Sequence, residues 1–77
     1  MKNVALPDFL TEEQIQAAWK IWQAAESESV ARCRIRDEII VPNMSTINGK
    51  LGQENHADYL AWAVIYVFMR VNSMQQN

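Results

Sequence analysis

Residues 59–69 read YLAWAVIYVFM, eleven residues with no charge, no glycine and no proline. On a helix this run reaches about 17 Å at 1.5 Å per residue, against a bilayer core of about 30 Å, so it is a buried helix and not a membrane span. Wound at 3.6 residues per turn, 59–71 places Leu60, Val64, Ile65, Val67, Phe68 and Val71 on one side. Tyr59, Ala63, Tyr66 and Arg70 fall on the other, with Trp62 and Met69 at the borders. A helix that is apolar all round is expected to be covered all round. One short chain offers few helices to do that, which points to a second copy.

Size and composition support the same reading. The chain has 77 residues, enough for one domain that buries only about 60% of its unfolded surface. Domains of this size tend to need a staple. Cys33 is the only cysteine, so no intrachain disulfide is possible. His56 is the only histidine, and "ENHAD" (54–58) alternates its ligand types at two-residue steps, so neither metal nor cofactor is expected. Oligomerisation remains, and a homodimer is expected, with Trp62, Ile65, Phe68 and Met69 at the self-interface. Net charge is −2, with no basic recognition helix, so neither nucleic acid nor an anionic membrane is an expected partner. The segment MKNVALPDFLTEE lacks the organisation of a signal peptide, and a cytoplasmic protein is expected.

Working outward from the apolar run gives an all-α fold, a small bundle of about three helices in one domain over 1–77. Residues 1–10, broken by Pro7, read as an arm whose Val4, Leu6 and Phe9 can dock on a core. A long, kinked helix is expected over 11–41. Thr11 and Gln14 have capping-box spacing, with Leu10 and Ile15 as a hydrophobic staple. Ile15, Ala18, Trp19, Trp22 and Ala25 form its stripe. Continued straight, that helix would bring Ser29, Arg32 and Arg36 into the stripe, so it breaks or kinks near 27–29, or the arginines are used there. RCRIR (32–36) also alternates as a strand would, although no hairpin turn follows. Pro42 should open a short helix or turn over 42–51, with Asn48-Gly49 and Gly52 marking a turn. The last helix is expected over 55–72, capped by Asn55 with Asp58 three residues on, and with a frayed tail.

Catalysis has little to draw on. Cys33 and His56 are a lone thiol and a lone imidazole, and two glycines make no phosphate loop, so an enzyme is not expected. The expected function is non-enzymatic: a small regulator or inhibitor that occupies a surface of a larger protein complex, such as a phage or mobile-element inhibitor of a host defence or regulatory protein. Its expected partner-binding residues are Arg32, Arg36, Tyr59, Tyr66 and Arg70. The alternative is an oligomer that sequesters a small anion or nucleotide signal through Arg32 and Arg36, since guanidinium forks suit phosphate and carboxylate. For Arg34 the simpler expectation is a helical ion pair with Glu38.

Overall fold

The computed structural model describes residues 7–75. Those residues are all-α, with no strand among them: α1 spans Glu12–Ala24, α2 Glu28–Ile35, α3 Met44–Leu51 and α4 Ala57–Gln75. A π-helical turn, Arg36–Ile40, and a 3₁₀ turn, Val41–Asn43, join α2 to α3. The strand reading of 32–36 is thereby excluded. Val4 and Leu6 lie outside the described residues. Phe9 packs on the core, and Leu10 is buried in it.

The start of α1 follows from four residues. The Thr11 hydroxyl accepts from the Gln14 N–H at 3.1 Å, and the Gln14 side-chain oxygen accepts from the Thr11 N–H at 2.9 Å. Two otherwise orphaned helix-end donors are thus satisfied reciprocally. Thr11→Ala is expected to lower stability by about 1 kcal/mol, measured as a shift in the urea midpoint at unchanged slope. A midpoint equal to wild type would show the cap contributes nothing.

The long helix expected over 11–41 is two helices, broken at 25–27, beside the 27–29 stretch where a break or kink was one expectation. Ala25 adopts an extended backbone (φ −73°, ψ 145°) and ends α1. Ser27 then caps α2, its hydroxyl accepting from the Val30 N–H at 3.2 Å. The break resets the helical phase. Ala31, Ile35, Ile39 and Ile40 now enter the core in place of Ser29, Arg32 and Arg36. In α1 the most deeply buried residues are Ala18 and Ile21, while Ile15, Trp19, Trp22 and Ala25 pack partly buried around them. The Ile15-to-Ala25 stripe therefore omitted Ile21, which lies just beyond its Ala18–Ala25 edge.

Pro42 neither stops the chain nor sharply breaks it. A proline removes one ladder donor and crowds the preceding turn. Here the helix widens to a π turn before Pro42, with the Val41 N–H reaching the Arg36 carbonyl, and tightens to 3₁₀ around it. The Asn43 side-chain amide donates to the Ile39 carbonyl at 2.7 Å. Gly49 lies inside α3, so the turn begins at Gly52 and not at Asn48-Gly49. Gly52 takes the left-handed C-cap conformation (φ 73°), and its N–H donates to the Asn48 carbonyl.

The expected cap of the last helix is also corrected. The first bond into α4 runs from the Leu60 N–H to the His56 carbonyl. Asn55 instead donates its backbone N–H to the Asn48 side-chain oxygen at 3.1 Å and its amide to the Gln53 carbonyl, which fastens the α3–α4 loop. α4 continues past the expected end at 72 to Gln75.

The core is one cluster, with α2 and the π turn packed on α4 and α1 across α2. Its largest member is Phe68 on α4. Trp19 meets the Phe68 ring edge-on at 5.0 Å, and Trp22 lies 5.9 Å from it. The two tryptophans lie 5.2 Å apart. The three rings hold α1 on α4, and the edge-on Trp19–Phe68 pair has a geometry that aromatic quadrupoles favour. No helix among the described residues is long and apolar enough to cross a membrane.

Candidate functional site

α4 divides along its length. Leu60, Ala61, Val64, Ile65, Phe68 and Val71 are buried in the chain's own interior, and of the face expected to be apolar Val67 alone is only half-buried. Two of the four residues expected at a self-interface are therefore unavailable for one: Ile65 is 0% and Phe68 2% exposed within a single chain. The other two, Trp62 and Met69, lie on the outer side at 43% and 41%. Tyr59 and Tyr66 join them at 66% and 63%. Neither tyrosine hydroxyl has a hydrogen bond among the described residues. α1, α2 and the π turn cover one half of α4 unaided and leave a rigid aromatic stripe on the other.

That stripe has a charged flank, built from α2 and the π turn. Four residues apart, Arg32 and Arg36 share a helical face, and both donate to the same oxygen of Asp58, at the start of α4. The Arg36–Asp58 distance is 3.2 Å. The Arg32 guanidinium carbon also lies 5.5 Å from the centre of the Trp62 ring, a cation–π arrangement. The Arg32 side chain is only 18% exposed, and its Nε is buried with no acceptor among the described residues. Arg36 further donates from Nε to Asp37 at 2.9 Å. That hydrogen bond and charge raise the Arg36 pKa above its ordinary value, with Asp58 adding to the effect. The same contact holds the Asp37 carboxyl below the usual carboxylate range. Arg34 pairs with Glu38 one turn on, as its spacing suggests, at 2.9 Å.

The structure thus brings Arg32, Arg36 and Trp62 together, with Tyr59 next to Asp58 in the chain. Arg70 is exposed about 12 Å further along α4, eight residues beyond Trp62. The two arginines converge as an anion site requires, but on an internal carboxylate. Sequence reasoning placed Asp58 in a helix cap and missed its main role. The available signal was the four-residue spacing of Arg32 and Arg36, which presents a pair of cations to one neighbour. No group of three histidine, cysteine or acidic side chains among the described residues is arranged to hold a metal. The chain matches no protein-family model, no curated protein and no solved structure.

Proposed function

We propose that this chain is a non-enzymatic protein-binding regulator that acts by occupying a surface of a larger protein, as an inhibitor does. The observation that carries the reading is the outer stripe of α4: two tyrosines, a tryptophan and a methionine left open on a helix whose opposite face is fixed in the core. Tyrosine and tryptophan are over-represented among residues that dominate binding energy. They offer large contact area for few rotatable bonds, and this helix already holds them in place, which lowers the entropic cost of binding. The Arg32–Asp58–Arg36 cluster supplies a polar rim beside Trp62.

The reading is tested by immobilising the wild-type chain and a Tyr59→Ser/Tyr66→Ser variant and comparing what each retains from source-cell lysate. A larger protein held in stoichiometric amount by the wild type should fall roughly tenfold or more on the variant, the loss expected when hot-spot aromatics are removed. If no protein distinguishes the two surfaces, the stripe does not serve a larger partner. The small-anion alternative gains no support from the geometry, because Asp58 already occupies both of its cations.

A further inference from the structure

We infer that the stripe on α4 is also a self-recognition surface, which takes α4 of a second copy of this chain in antiparallel orientation. The inference rests on the reading of the stripe as a protein-binding surface and names one occupant for it. The exposed residues are Tyr59, Trp62, Tyr66 and Met69, at steps of three, four and three. Alternating three- and four-residue steps make a straight seam suited to one partner helix. This sequence of steps reads the same in both directions. A second α4 running the opposite way therefore meets it register for register. Tyr59 faces Met69 of the second copy, and Trp62 faces its Tyr66. Each layer then joins ring to ring or ring to thioether, both favourable contacts, and no layer opposes two tryptophans. Ala63 lies beside the seam and adds no bulk to it.

Charge selects the direction. Asp58, at one end of the stripe, is already shared by Arg32 and Arg36, so that end offers no free negative charge, and Arg70 is the one base of α4, at the other end. Antiparallel pairing keeps the two Arg70 side chains at opposite ends of the seam and opposes the two helix dipoles. Parallel pairing would set Arg70 beside Arg70 and Tyr59 beside Tyr59. The area suits a dimer of modest affinity. Aromatic side chains bury about 150–250 Å² each, so the exposed parts of these four residues come to roughly 400–500 Å² per chain. Both copies together bury at most roughly 800–1,000 Å², at or just below the floor for a specific interface, so the dimer is a weak one. A larger protein that takes the same stripe must displace the second copy.

Sedimentation of the full chain over a concentration series tests this, with Tyr66→Ser and Tyr59→Ser as variants and helical circular dichroism as the check on folding. Wild type should pass from monomer to dimer, and each variant should raise the dissociation constant roughly tenfold or more. Orientation is read in a Cys33→Ser background. Tyr59→Cys and Met69→Cys chains should cross-link to each other through a short bis-maleimide when mixed, and neither should cross-link to itself. A monomer at every concentration up to about 1 mM overturns the inference. So does a dimer insensitive to both serine variants, or efficient self-cross-linking of Tyr59→Cys. A monomer whose stripe still holds a larger protein defeats only this inference. A dimer that retains no larger protein defeats only the proposed regulator.

Discussion

Phe68→Ala is expected to leave most of the chain unfolded at 25 °C. Phe68 is the largest fully buried side chain, and both Trp19 and Trp22 pack their rings on it. Removing a buried phenylalanine costs about 3–5 kcal/mol, from lost burial and from the cavity that remains. A single core of this size rarely supplies more than about 3–5 kcal/mol in total. The substitution therefore removes a stability comparable to the whole. Urea titration followed by circular dichroism and by tryptophan fluorescence should find the native baseline shortened or absent. Met69→Ala, one residue on and on the outer face, should move the midpoint by less than about 1 kcal/mol. The contrast between these neighbours tests the division of α4 into a core face and an open face. If both cost the same, or if Phe68→Ala keeps a wild-type midpoint, that division is wrong.

Asp58→Lys should be the next most damaging change, at about 2–3 kcal/mol. Asp58 holds Arg32, whose side chain is mostly buried and whose Nε has no acceptor among the described residues. Removing the partner of a buried charge costs about 3–5 kcal/mol, because the remaining charge is desolvated and unpaired. The value here is reduced because the Asp58 side chain is 48% exposed, so water screens part of the pair. The added ammonium would also repel Arg32 and Arg36. An Arg32→Leu/Asp58→Leu double variant should recover most of the loss, since replacing both partners by apolar groups leaves no orphaned charge. A double-mutant cycle in urea checks it. Additive single costs, with no recovery in the double variant, would show that the two side chains do not act as a pair.

The all-α class and the two-sided character of α4 were legible in sequence, because both depend on local periodicity. Residues 59–71 separate Leu60, Val64, Ile65, Phe68 and Val71 from Tyr59, Tyr66 and Arg70 by helical angle alone, and burial follows that separation. The capping box at Thr11 and Gln14 was equally legible, since it joins residues three apart. The extent of cover was not. The sequence suggested that α4 needed a second chain to complete its cover, with Ile65 and Phe68 in that interface. Nothing local states that Trp19, Trp22 and the Ile35-to-Ile40 segment return to that helix across the intervening turns and α3.

The arginines divide along the same line. Arg34 with Glu38 is a four-residue contact, and spacing alone identifies it. Arg32 and Arg36 reach Asp58 across separations of 26 and 22 residues. That contact depends on where Ser27 restarts the helix. The restart turns the phase of α2 so that Ala31, Ile35, Ile39 and Ile40 face inward and the two cations fall at its edge, beside the start of α4. Sequence alone determined what each helix is made of, where α1 begins and which side of α4 is oily, because helix geometry and capping act within one or two turns. Only the tertiary structure decided which oily side chains one chain can cover by itself, which aromatics remain open and which carboxylate takes the arginines. Those outcomes depend on how helices with independently set phases pack together.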